Sequence, residues 1–95
     1  MTEDSDILLS IKRDAETGFR LLMSYYREPI YWHIRRMVIH HADAQDATQE
    51  TFIRVFRSIS GFKGESSLKV WIYRIATNEA MRQNGQKTER ISVDR

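Results

Sequence analysis

Apolar residues recur at steps of three and four from Phe19 through Leu22, Met23, Tyr26, Ile30 and Ile34 to Met37. That spacing gathers them on one side of a helix, whereas a strand would need alternation with period two. The run reads as one long amphipathic helix reaching about His41, with Gly18 a weak interruption ahead of it. Pro29 lies inside the run; it has no amide donor and is expected to kink the helix or divide it in two. One proline and four glycines are the only strong breakers in 95 residues, so long helices are expected throughout.

The rest of the chain follows the same period. Ile7, Leu8 and Ile11 share a face of a short first helix, with Ser5 or Asp6 as its cap. Asp43 is the expected N-cap of a later helix, with Asp46 in its first turn and Phe52, Val55, Phe56 and Ile59 as its inward stripe. Ser60-Gly61 ends that helix through a left-handed glycine, and a loop runs from Gly61 to Ser66. Ser66 or Ser67 caps the last helix, whose buried side is Leu68, Trp71, Ile72, Ile75 and Ala76. The pattern fades after Met81 and Gly85 is the expected stop. The expected fold class is all-α: one small bundle of three to four helices over residues 1–85, followed by a polar linker over 86–95.

Bulk charge decides little: the net charge is +2 and the sequence pI about 9.2, so any nucleic-acid claim must rest on local clustering. There is no cysteine, which excludes disulfides and thiolate metal sites and fits a reducing compartment. The N-terminus is acidic and polar, unlike a secretory signal, and no apolar run approaches the roughly 20 residues of a membrane helix. A soluble, cytoplasmic protein without membrane insertion is expected.

Two constellations stand out. Asp46, Gln49 and Glu50 lie at i, i+3 and i+4 and project together outside the apolar stripe. Such a patch suits a basic partner surface, or is simply a solvated helix face. Phe62 sits in the glycine-flanked loop, where the ring either folds onto the core or takes an unstacked base. Lys63, Lys69, Arg74 and Arg82 accompany Trp71 and Tyr73, the make-up of a surface that holds a nucleic-acid backbone and stacks on bases. Asn78 follows Arg74 by one helical turn and offers both donor and acceptor to a base edge. Trp71 and Tyr73 are neighbours, so one is expected inside and the other outside. Arg35-Arg36 form a second basic group. His33, His40 and His41 do not converge on a ligand set, and no metal or cofactor is expected. No glycine-rich phosphate cradle, metalloprotease motif or nucleophile elbow occurs, so an adaptor rather than an enzyme is expected.

Three segments in order and at fitting separations carry a resemblance: Asp43-Ala-Gln-Asp-Ala-Thr-Gln-Glu-Thr-Phe-Ile, then Phe62-Lys-Gly-Glu-Ser, then Trp71-Ile-Tyr-Arg-Ile-Ala-Thr-Asn78. Together they resemble the second conserved region of bacterial sigma factors, most closely the extracytoplasmic-function class. The resemblance covers roughly Ile7 to Gly85. It implies a transcription-initiation domain that binds the beta-prime clamp helices of core RNA polymerase through Asp46, Gln49, Glu50, Phe52, Ile53 and Phe56. It also implies recognition and melting of the minus-ten promoter element, by capture of a flipped base from the single-stranded non-template strand. Phe62, the loop through Ser66 to Leu68, and Asn78 match the places that hold the base; Lys63, Lys69, Arg74 and Arg82 match phosphate contacts. An anti-sigma factor is a further implied partner. Gln45 stands where the family usually has glutamate, and the end of the last helix is less basic than usual. The family's second helix-turn-helix domain is not in this sequence, so a truncated piece is expected. Two other readings stay open: a helical regulator that reads duplex DNA with its last helix, and a protein-interaction domain without nucleic-acid function.

Overall fold

The computed structural model describes residues 3–93, with side chains over 4–85. Four α-helices follow in order: α1 Glu3–Arg13, α2 Ala15–Arg35, α3 His41–Ser58 and α4 Leu68–Val93. No strand occurs among the described residues. The expected all-α bundle is what forms. Helices α2, α3 and α4 pack against one another, and α1 packs on α2. The core runs through Ile7, Leu22, Ile30, Ile34, Val55 and Ile72, all fully buried.

Several boundaries differ from the pattern reading, each for a local reason. α2 starts at Ala15, so Gly18 lies within its first turns. The glycine is a packing requirement rather than an interruption: a Cβ there would lie 2.4 Å from the Cα and the backbone nitrogen of Ile11 in α1. Asp14 precedes α2 in an extended conformation and accepts a 2.7 Å hydrogen bond from the Thr17 hydroxyl. That bond holds the Asp14 carboxyl below its ordinary pKa. Neither Ser5 nor Asp6 caps α1, because both lie inside it.

Pro29 does not divide α2, which continues to Arg35. Pro29 and Tyr25, whose carbonyl loses its partner, are both exposed, so water can take the place of the missing amide. The helix stops short of His41. Met37 and Val38 both donate to the Ile34 carbonyl, at 2.8 and 3.1 Å, and the Arg35 guanidinium donates to the Val38 carbonyl at 3.0 Å. His40, extended at φ −99° and ψ 138°, takes the cap position of α3, and its carbonyl accepts the Ala44 amide. Asp43 is therefore a first-turn residue, where its charge favours the helix dipole, and not the cap.

Glycine 61 does not end α3 by a left-handed turn. A 3₁₀ turn, Ile59–Gly61, tightens the end and passes a 3.0 Å bond from the Phe62 amide to the Ile59 carbonyl. The left-handed residue is Gly64, at φ 78°. Ser67 is the cap of α4: its hydroxyl accepts the Val70 amide at 3.1 Å and its carbonyl the Trp71 amide at 3.0 Å. Gly85 does not stop α4, and backbone expected to be linker is helical as far as Val93. A lone glycine weakens a helix by only about 1 kcal/mol. Residues 94 and 95 of the expected linker lie outside the described residues.

Candidate partner and nucleic-acid interfaces

α3 presents two different sides because its inner side is built from small residues. Ala44, Ala47, Thr48 and Thr51 are buried with Phe52 and Val55. The two threonine hydroxyls donate back to the Ala44 and Ala47 carbonyls at 2.7 Å, so neither is left unsatisfied. Packing through small residues rotates Phe56 out: it is 51% exposed, although its spacing matches the core stripe. Its ring meets Phe19 of α2 edge-on at 4.9 Å.

Between α2 and α3 runs an open groove of about 1420 Å³. Asp46, Gln49, Ile53 and Phe56 line one wall; Phe19, Met23, Arg27 and Tyr31 line the other. Its rim is acidic and amide-bearing at Asp46 and Gln49, and apolar at Ile53 and Phe56. Of the residues expected to meet a protein partner, Phe52 and Glu50 sit differently. Phe52 touches the groove but is 4% exposed, because its ring completes the core beneath the wall. Glu50 is half-buried outside the groove and faces Arg54, at 3.4 Å. Tyr31 and His41 close one end of the groove through a hydroxyl-to-Nδ1 hydrogen bond, with Trp32 edge-on to Tyr31.

The second surface is formed by the 62–67 loop and α4. Phe62 folds back and is half-buried, its ring 5.1 Å from Trp71 at 48°. Trp71 and Tyr73 do not divide into one inner and one outer ring. Both are half-buried, because Trp71 is covered by Phe62 and Tyr73 lies edge-on to His33 of α2 at 4.9 Å. Leu68 is 2% exposed: it points into the core, as its stripe position dictates, and is not a surface contact. Ser66 is half-buried, with its hydroxyl 3.3 Å from the Ser67 carbonyl. Lys63, Lys69, Arg74 and Asn78 are exposed.

Helical periodicity sorts the α4 residues into two flanks. Trp71, Asn78 and Arg82 share one flank with Phe62 above it, and Arg74 stands on the ridge beside them. Lys69, Tyr73 and Thr77 share the other, toward α2. There the Lys69 Nζ stands 6.0 Å from the Tyr73 ring centre, and His33 Nε2 is 2.8 Å from the Thr77 hydroxyl. Burial, and then the Arg36 charge, push the His33 pKa below 6.5. The pattern reading had not joined His33 to this face.

Glu79 was also unforeseen. The residue is only 4% exposed, between α3 and α4. Arg54 holds it at 2.7 Å and Arg82 at 3.6 Å. Arg82 is thus partly neutralised. The i, i+3 pairing of Glu79 and Arg82 was visible in sequence; the partner from α3 was not. Among the described residues, no group of His, Asp or Glu is arranged to hold a metal ion, and no helix is long and apolar enough to cross a membrane.

A family profile for Sigma-70 region 2 matches residues 22–88. The chain belongs to that family. Its sequence is 36% identical over 78 residues to the RNA polymerase sigma-H factor of Pseudomonas aeruginosa, covering 82% of this chain and 40% of that protein. It is 36% identical over 77 residues to the ECF RNA polymerase sigma-E factor of Haemophilus influenzae, covering 81% of this chain and 40% of the relative. The chain thus spans 40% of the length of these two relatives. Its fold is similar to an engineered region 2 of sigmaE solved by NMR in complex with GTAAAA. The TM-score is 0.80 at 26% identity, covering 95% of this chain and 93% of that one.

Proposed function

We propose that this Sigma-70 region 2 domain binds core RNA polymerase through the α2–α3 groove and single-stranded minus-ten promoter DNA through the 62–67 loop and α4. The observation that carries the reading is the likeness to the sigmaE region 2 solved with GTAAAA, over almost the whole of both chains. Asp46 and Gln49 supply charge and amide contacts to a basic helical partner, and Ile53 and Phe56 supply its apolar contact. Glu50 contributes less than its position suggests, since it stands outside the groove and faces Arg54 at 3.4 Å.

On the other face, Phe62, Ser66 and Asn78 hold a base that has left the stack, while Lys63, Lys69, Arg74 and Arg82 meet phosphates. Stacking is worth about 1–3 kcal/mol per base, enough to offset the few kcal/mol that local unpairing costs. Leu68 and Phe52 act from beneath, by shaping the two surfaces. The domain carries out no covalent chemistry; the polymerase supplies the synthesis step. It acts in the cytoplasm, where polymerase and promoters are, and an anti-sigma factor is a competing partner for the same groove.

A pull-down with core polymerase, followed by crosslinking to a labelled minus-ten strand, tests the reading. Retention of the wild-type chain and a crosslink in the 62–78 region are expected. Loss of retention in Asp46→Ala and Phe56→Ala, with folding unchanged, supports the groove assignment. Failure of the wild-type chain to bind either ligand overturns it.

A further inference from the structure

The α3–α4 seam holds one carboxylate between two guanidinium groups. Glu79 is 4% exposed and its two oxygens are divided: Oε2 lies 2.7 Å from Arg54 Nε, and Oε1 lies 3.6 Å from Arg82 Nε. The two contacts are unequal. Arg54 reaches in from α3 at the shorter distance, whereas Arg82, three residues along α4, keeps 57% of its side chain in solvent. The other cations near this flank are placed differently: Lys63 and Arg74 are exposed and, among the described residues, have no ion-pair partner. A buried carboxylate left without a counter-charge is strongly destabilising, while loosening a solvent-exposed pair costs little. With Arg54 in place, Glu79 stays paired whichever way Arg82 points. Arg82 is therefore free to leave it; without Arg54 it would be the carboxylate's one counter-charge on the seam.

We propose that Glu79 is a positioning residue for strand binding: it holds Arg82 back against the seam, and Arg82 reaches the strand only by exchanging that carboxylate for a phosphate oxygen. This rests on the reading of the domain as a single-strand binder. It goes beyond that reading by giving Glu79 and Arg54 a role in binding although neither touches the strand. Lys63 and Arg74 meet phosphates as unpaired cations, so each contact they make is a full gain. At Arg82 one charge-assisted contact is lost for each one made, so the net gain is small. Arg82 is engaged for only part of the time and adds only part of one contact to the salt dependence. Strand affinity is thus set from inside the bundle, at residue 79, with every strand-contacting group unchanged.

The test is fluorescence anisotropy of the full chain with labelled single-stranded GTAAAA extended by flanking thymidines, across a salt series, with folding of each variant followed by circular dichroism. Arg74→Gln is expected to reduce the log–log salt slope by about 0.7, the loss of one single-strand phosphate contact, and Arg82→Gln by less than half of that. Glu79→Gln keeps the side-chain shape and removes the charge; it should tighten binding and steepen the slope. In that background Arg82→Gln should now cost about the full 0.7, and this non-additivity is what a merely structural role for Glu79 would not produce. Lys12→Gln, on α1, is the control and leaves the slope unchanged. Two results overturn the proposal while leaving the base-reading face standing. One is an Arg82→Gln effect equal to that of Arg74→Gln in the otherwise native chain, a comparison that holds even if Glu79→Gln fails to fold. The other is a steeper slope in Glu79→Gln that persists without Arg82, which would be a bulk charge effect. If the wild type binds no single strand, both readings fall.

Discussion

Replacing Gly18 by alanine separates helix propensity from tertiary packing. In an exposed helix the change would stabilise the fold by about 1 kcal/mol. Here the new Cβ falls 2.4 Å from two backbone atoms of Ile11, more than about 1 Å inside ordinary contact distance. Backbone cannot rotate away as a side-chain tip can, so α1 and α2 must part along their whole crossing. Overpacking of this kind costs about 1–3 kcal/mol, and a backbone obstacle on both helices puts it at the top of the range. Separation also strips contacts from Ile7, which is fully buried, and loosens the Tyr26 hydroxyl bond to Asp4. The net expectation is a loss of about 2 kcal/mol, or about 8–16 °C in Tm for a domain of this size. Gly85→Ala is the internal control: Gly85 is also helical but has nothing within 4 Å of its missing Cβ, so stability should rise by about 0.5–1 kcal/mol. Thermal and urea unfolding followed by circular dichroism measure both. An unchanged or raised Tm for Gly18→Ala would refute the close α1–α2 crossing.

Other expectations follow from the same geometry. Arg54→Ala leaves the Glu79 carboxylate buried beside the more distant Arg82 and should cost about 3 kcal/mol in urea unfolding, whereas Glu50→Gln, which loses a half-exposed pair, should cost under about 0.5 kcal/mol. His33 has a folded-state pKa below 6.5, so the unfolded chain binds the proton more readily; stability is complete above pH 6.5 and falls as pH drops through the folded value. His33→Gln should remove that part of the pH dependence, and an NMR titration should place the His33 midpoint below 6.5. Asp46→Ala should leave Tm within about 1 °C of the wild type, since the residue is exposed, while weakening retention by core polymerase.

The helical fold was legible because the period of three and four is local: Leu22, Tyr26, Ile30 and Ile34 announce their shared face without reference to anything else. What escaped depended on neighbours distant in sequence. Gly18 reads as a breaker until Ile11 is placed against it. Pro29 reads as a break until its solvent-facing position shows that water can satisfy the freed carbonyl. Phe56 follows the core spacing, yet Ala44, Ala47 and Thr51 bring α3 so close that the buried face is narrow and Phe56 falls outside it. Leu68 shows the reverse case. Its stripe position announced a core residue, and the resemblance made it a contact; the spacing was right. Glu79 was unreadable as a buried acid because its main partner, Arg54, comes from another helix.

The account stands most directly on one binding comparison: the affinity of the chain for single-stranded GTAAAA against the same sequence in duplex, at one fixed salt, with Asn78→Ala alongside. A preference of about ten-fold or more for the single strand, about 1.4 kcal/mol, is expected, and Asn78→Ala should abolish most of it. Equal or tighter binding to the duplex, unaffected at Asn78, would contradict base capture and favour a helix that reads the closed double strand.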